Sequence, residues 1–115
     1  LDTRPRLTPT EASALAVLVH GGAMGLGTLA MHEGVRPPSM TRTVGVLEAR
    51  GYVRRAPDPN DGRGVVLSVT PEGRRVFRAG HRRLMAPLIR HLHALPPDAR
   101  RRLEQALPTL LELPA

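Results

Sequence analysis

The sequence predicts a mainly α-helical chain carrying one small β-hairpin. Three observations predict it. Apolar residues recur at helical spacing before residue 50 and again after residue 70. Between those regions lie two short strand-like runs, Tyr52-Val53-Arg54-Arg55-Ala56 and Val65-Val66-Leu67-Ser68-Val69. The stretch that separates them, Pro57-Asp58-Pro59-Asn60-Asp61-Gly62-Arg63-Gly64, is dense in turn formers. At 115 residues and 41% hydrophobic, the chain can fill one core and is too short for two ordinary domains.

Each element has its own signals. Thr8-Pro9-Thr10-Glu11 reads as a helix start, with Thr8 as N-cap, Pro9 in the first position and Glu11 completing a capping box. Leu15, Leu18 and Val19 give the apolar stripe, and His20-Gly21-Gly22 stops it. A short second helix follows, about Leu26 to Glu33, with Leu29 and Ala30 inward and Gly34 as its stop. Pro37-Pro38 opens a third helix that runs to about Arg50 and ends at Gly51. A turn of about 100° per residue gathers Met40, Thr43, Val44 and Leu47 into a buried stripe. The same turn puts Pro38, Thr41, Arg42, Gly45 and Ala49 on the outward face. That face is small and polar apart from one long cation, so it can approach a flat polar surface closely. After the hairpin, Thr70-Pro71-Glu72-Gly73 starts a helix whose apolar spacing continues to about His93. Pro87 inside it predicts a kink or break. Leu95-Pro96-Pro97-Asp98 turns the chain into a last helix with Leu103, Leu107, Leu110 and Leu111 on one side. Two strands alone are marginal, so the hairpin must lean on the helices.

Charge is unevenly placed. Seventeen basic residues, all Arg, oppose ten acidic ones, a net charge of +7. Residues 36–83 hold eleven Arg and four acids, while the segments on either side are close to neutral. A basic block between near-neutral ends suits a polyanion-binding module. A GC-biased composition would explain Arg over Lys, but not why the excess is local.

Several functions are excluded or disfavoured. With no Cys there is no disulfide scaffold, thiolate zinc site, cysteine nucleophile or thiol redox sensor in this chain. At 2% aromatic residues, a surface built on stacked bases is disfavoured. His20, His32, His81, His91 and His93 form no His-Glu-x-x-His pattern, and no glycine-rich phosphate loop follows a strand. The expectation is therefore no enzyme, no cofactor and no metal. No apolar run approaches the ~20 residues of a spanning helix. No signal peptide is visible, so the expectation is a cytoplasmic protein with no membrane partner. The sequence opens on Leu1 rather than Met, so the native amino terminus is expected upstream.

The order helix, turn, helix, basic hairpin is the plan of a winged helix-turn-helix domain. At this point the sequence resembles the MarR (multiple antibiotic resistance regulator) family, over about Leu7 to Gly80. Four stretches in order carry the resemblance: Leu7-Thr8-Pro9; Ser39-Met40-Thr41-Arg42 with Leu47-Glu48-Ala49-Arg50-Gly51-Tyr52-Val53-Arg54-Arg55; Asp58-Pro59-Asn60-Asp61-Gly62-Arg63; and Leu67-Ser68-Val69-Thr70-Pro71-Glu72-Gly73.

The resemblance implies a winged helix-turn-helix region over residues 1–80, with a recognition helix at about 37–50 and a wing at about 53–69. A helical dimerisation region over 71–115 would follow. It further implies a DNA-binding transcription regulator, a ligand-responsive repressor that grips a pseudo-palindromic operator as a homodimer. Pro38, Ser39, Thr41 and Arg42 lie where similar proteins touch bases and phosphates. Arg42 could serve a guanine edge or a phosphate, and both remain open. Asp61 and Arg63 match the family's wing pair, in which the Asp orients the Arg and the Arg enters the minor groove. Asp61 is equally suited to stabilising the turn. Arg54 and Arg55 would flank the wing as phosphate contacts, or be simply solvated. Gly62 stands where the family often has another Arg. The partners implied are double-stranded DNA, a second copy of the chain, and a small-molecule inducer whose pocket the sequence does not place. A dimer also follows from the stripe Leu84, Leu88, Leu92 and the last helix's leucines, which one chain would cover poorly. The rival reading is a protein-interaction or dimerisation module of the same fold with only non-specific DNA affinity.

Overall fold

The computed structural model describes residues 6–111, without the side chains of Leu110 and Leu111. Three helices come first, α1 (Pro9–Gly21), α2 (Leu26–Glu33) and α3 (Pro37–Ala49). An antiparallel hairpin follows, β1 (Val53–Asp58) and β2 (Asp61–Val69), then α4 (Pro71–His93) and α5 (Pro97–Leu111). The chain divides into two compact units between Arg78 and Ala79, a boundary that falls inside α4.

In the first unit the helices sit where their signals put them. The Thr8 hydroxyl accepts from the Glu11 amide at 3.2 Å, and the Glu11 carboxylate accepts from the Thr8 amide at 3.1 Å. The capping box is thus complete in both directions. We expect Thr8→Ala to cost about 1 kcal/mol, read as a lower urea midpoint at unchanged slope. The Ser13 hydroxyl bonds both oxygens of Glu33, at 2.9 and 2.8 Å, and ties α1 to α2.

The core takes Ala14, Leu15 and Leu18 from α1, Leu29 and Ala30 from α2, and Met40, Val44 and Leu47 from α3. Tyr52, Val53 and Leu67 close it from the hairpin side. Thr43 is half-buried at the edge of the α3 stripe.

The hairpin differs from the sequence expectation. Its strands reach further, and only Pro59 and Asn60 remain as the turn. Two-residue hairpin turns ordinarily need positive φ, and among the described residues no non-glycine residue has one. The fit is recovered by a register shift between Pro57 and Asp58, and by the Asp58 carboxylate accepting the Asn60 amide at 2.8 Å. Asp61, Gly62 and Gly64 are therefore strand residues, not loop. The hairpin also has an anchor that the sequence did not announce. Met24, between α1 and α2, pairs with Leu67 on the other edge of β2, through bonds of 3.1 and 2.7 Å.

Gly51, with φ 78°, lets the chain leave α3 and turn into β1. Thr70 then ties the start of α4 to that corner. Its amide donates to the Tyr52 carbonyl at 2.9 Å and its hydroxyl to the Gly51 carbonyl at 2.6 Å. The same hydroxyl accepts from the Gly73 amide at 3.0 Å, which caps α4. Gly73 is buried against this corner. The His20 ring, at the end of α1, meets Phe77 edge-on with ring centroids 5.4 Å apart.

The second unit comprises the later part of α4 and α5. Of the kink or break expected at Pro87, the break does not occur, and α4 is one helix through it. Proline removes a single amide, and the Arg83 carbonyl left without its donor belongs to an exposed residue, where water can serve it. Pro108 likewise lies inside α5. The Arg100 guanidinium donates to the His93 carbonyl at 2.6 Å and closes the turn between the two helices. Leu84, Leu88, Ile89 and Leu107 are exposed in the single chain, Leu84 at 69%. The expectation for Leu110 and Leu111 lies outside the described side chains. Among the described residues no helix is long and apolar enough to cross a membrane.

Candidate nucleic-acid interface

The interface is built on two elements, α3 and the hairpin. Packing of Met40, Val44 and Leu47 into the core leaves Pro38, Ser39, Thr41 and Arg42 exposed on the rest of α3. These four sit within the helix's first turn and a half, and Gly45 and Ala49 continue their face toward the C-terminus, both exposed.

The start of α3 cannot bind an anion with main-chain donors in the usual way. Helix N-termini attract phosphates because their first amides point outward unpaired. Here Pro37 and Pro38 have no amide hydrogen. The next two amides, of Ser39 and Met40, already donate to the Arg36 carbonyl at 3.0 and 3.2 Å. Pro38 therefore offers a ring surface and no donor. Attraction for an anion must come from side chains, with Arg36 and Arg42 both exposed. Arg36, at the N-cap, is absent from the sequence-derived set, and its exposure beside Pro38 is the only signal for it. The Thr41 hydroxyl donates to the Pro37 carbonyl at 2.9 Å, so its hydrogen is already engaged within the helix.

On the hairpin, Arg54 and Arg55 are exposed but not equivalent. The Arg55 Nε donates to Glu48 of α3 at 2.6 Å. Strand alternation puts Arg55 on the side of buried Val53, toward α3, and Arg54 on the other face. Arg54 has no acidic partner among the described residues. The Glu48–Arg55 pair holds the strand's charge against α3, a link that spacing alone could not reveal. Both groups are partly exposed, so the coupling is modest. A double-mutant cycle with Glu48→Gln and Arg55→Met should return less than about 1 kcal/mol.

Asp61 and Arg63 are exposed on β2, just past the turn. The Asp61 carboxylate accepts from the Arg63 main-chain amide at 3.0 Å. This bond holds the backbone just past the turn, the turn-stabilising alternative, and does not touch the guanidinium. Among the described residues the Arg63 guanidinium has no acidic partner, and its charge stays available. Arg55 and Arg63 line one shallow groove of the hairpin with Pro57 and Val65.

Not all of the basic block is available. Arg50 turns inward to Glu11, at 3.6 Å, and helps seat the end of α3 on the start of α1. Arg75 pairs with Glu72 along α4. Among the described residues, the arginines of α3, its N-cap and the hairpin without an acidic partner are Arg36, Arg42, Arg54 and Arg63. Among the described residues no group of three or more His, Asp or Glu could hold a metal ion.

Comparison with known proteins agrees with this layout. The MarR family model matches residues 7–65. An uncharacterized HTH-type transcriptional regulator of Mycobacterium leprae is 42% identical over 104 residues, which is 90% of this chain and 73% of that protein. Among solved structures, wild-type MarR from E. coli in its apo form superposes with a TM-score of 0.79 at 25% identity, over 91% of this chain and 78% of that one. A mutant of the same E. coli protein, crystallised with operator DNA, gives 0.67 at 24% identity, over 91% and 76%. That last likeness speaks to the fold alone. Family model, relatives and solved neighbours agree, and the chain belongs to the MarR family of winged-helix transcription regulators.

Proposed function

We propose that this chain binds a specific operator in double-stranded DNA and represses transcription from it. The observation that carries the reading is the pairing of two exposed cationic elements on one compact unit. One is the α3 face with Pro38, Ser39, Thr41 and Arg42; the other is the hairpin with Arg54 and the backbone-fixed Arg63. In this reading α3 enters the major groove, and Arg63 enters the flanking minor groove. Arg54 serves a phosphate, and Arg55, held by Glu48, positions the strand beside the helix.

The functional state in this proposal is a homodimer, and a two-fold dimer reads half-sites about one helical turn apart. Exposed Leu84, Leu88, Ile89 and Leu107 support it, because large apolar faces are normally covered. The reading also assigns residues 1–80 to DNA binding and 71–115 to dimerisation. Response to a small-molecule inducer is included on family membership alone, and no residue is assigned to its pocket.

Fluorescence anisotropy tests the proposal. One duplex carries the intergenic DNA beside this protein's own gene, and the other is its shuffled version. Specific binding predicts ~10³-fold or greater preference for the first, and a steep loss of affinity with salt. Equal, weak, salt-sensitive binding to both would reduce the reading to a basic surface. No binding to either at low salt would favour the interaction module.

A further inference from the structure

We propose that Arg50 is a positioning residue for base reading: it and Glu48 hold α3 from opposite flanks and fix the roll of the helix about its own axis. The inference rests on α3 being the DNA-reading helix. The apolar stripe of Met40, Val44 and Leu47 seats α3 on the core, but apolar contacts have no direction and leave roll weakly fixed. Two charged contacts at the end of the helix are anchored on different elements. Glu48 meets Arg55 of β1 at 2.6 Å. Arg50 meets Glu11 of α1 at 3.6 Å. At about 100° per residue, Glu48 and Arg50 stand about 200° apart around the axis, one on each side of the buried stripe. Arg50, the C-cap residue, keeps helical dihedrals and follows the same count. One contact therefore draws the helix toward the hairpin, and the other draws it toward α1.

The Glu11 end of the Arg50 contact is itself fixed. The carboxylate oxygen that faces Arg50 also accepts the Thr8 amide at 3.1 Å, inside the α1 capping box. The pair is sheltered as well. Side-chain exposure is 24% at Arg50 and 12% at Glu11, against 42% at Arg55 and 28% at Glu48, so water and salt weaken it less. The Nη1 of Arg50 is buried and makes no hydrogen bond among the described residues, so charge rather than fork geometry joins it to Glu11. The face with Pro38 and Arg42 lies opposite the buried stripe and swings with the roll. A roll of about 10° carries a side-chain tip about 6 Å from the axis through about 1 Å. A hydrogen bond to a base edge does not survive a stretch of that size. The residues that set the roll therefore set the sequence that is read.

The test starts from a duplex selected with the full chain from a random-sequence library. Affinity for that duplex and for each of its single base-pair substitutions is read by anisotropy. In the parent, a substitution at a read position costs roughly ten-fold. In Arg50→Met and in Glu11→Gln that penalty should shrink to about two-fold at one or more positions of each half-site. The two variants change net charge in opposite directions, so a loss shared by both cannot come from net charge. Glutamine keeps the acceptor for the Thr8 amide, and Glu11→Gln carries the test alone if Arg50→Met does not fold. Arg50→Lys keeps the charge and should keep the parent's preferences. Glu48→Ala releases the other flank and should also blunt discrimination. The double variant Glu11→Gln with Glu48→Ala loses both pulls and should discriminate better than either single, while the two losses of thermal stability add. A merely structural role would not produce that recovery. Unchanged penalties in Glu11→Gln, or a double variant no better than either single, overturn the inference and leave DNA reading by α3 intact. If selection returns no preferred sequence, the operator-binding proposal falls, and this inference with it.

Discussion

Arg63→Ala should weaken binding to a selected operator duplex by about ten- to a hundred-fold and lower the salt slope by about one. The expectation follows from how Arg63 is presented. It stands on β2 just past the turn, exposed and without an acidic partner among the described residues. Its main-chain amide is held by Asp61 at 3.0 Å, so the side chain starts from a fixed point. A guanidinium that starts from a fixed point loses less entropy when it enters a narrow groove. Arg101→Ala is the control, because it removes the same charge from exposed α5. Equal losses in the two variants would mean that net charge, not the wing, drives binding. Asp61→Asn refines the result. Asparagine keeps the acceptor for the Arg63 amide and removes the charge, so it should bind at least as well as the parent. Asp61→Ala removes the acceptor and should lose several-fold while Arg63 is still present.

Gly73→Ala should lower stability by about 3 kcal/mol, a fall in Tm on the order of 15 °C. Helix propensity alone predicts the opposite sign, since alanine is favoured over glycine by about 1 kcal/mol. Packing decides the outcome. A Cβ at residue 73 would stand 2.2 Å from the Tyr52 carbonyl oxygen and 2.8 Å from a Val69 methyl. The carbonyl cannot easily retreat, because it accepts the Thr70 amide at 2.9 Å and Tyr52 is itself buried. Thermal melts followed by circular dichroism check this, with Gly80→Ala alongside. Gly80 is also in α4, but a Cβ there meets nothing within 4 Å, so that substitution should be neutral or stabilising. A Gly73→Ala variant that melts at or above the parent would falsify the close-approach argument.

Local signals in the sequence were sufficient wherever the determining interactions were local. The Thr8–Glu11 box spans one turn, and the structure closes it. The α3 stripe is a matter of helical angle, and Met40, Val44 and Leu47 are buried as the angle requires. The exposure of Pro38, Ser39, Thr41 and Arg42 follows from the same geometry. The sequence was less informative where distant groups decide. Asp61, Gly62 and Gly64 are individually turn formers, yet strand pairing carries them into β2 once Pro59 and Asn60 suffice to reverse the chain. The Met24–Leu67 pairing joins a helix connection to a strand forty residues on and has no compositional mark. Arg54 and Arg55 are adjacent and identical in the sequence. Only the placement of Glu48 across from β1 separates their duties. Pro87 was read by its own disfavour for helix, which one missing bond on a solvated face does not enforce.

The Thr70 cap has a mechanical consequence. Its three hydrogen bonds join the Gly51–Tyr52 corner, where α3 ends, to the first turn of α4. The joint has no slack: one hydroxyl both donates and accepts, and Gly73 fills the remaining gap with backbone. The first turn of α4 is therefore tied to the corner that ends α3, so a displacement of one is expected to move the other. Hydrogen exchange at the Thr70 and Gly73 amides should then report a single opening event, with matched protection factors once each intrinsic rate is divided out, and unequal protection would show that the joint yields in parts.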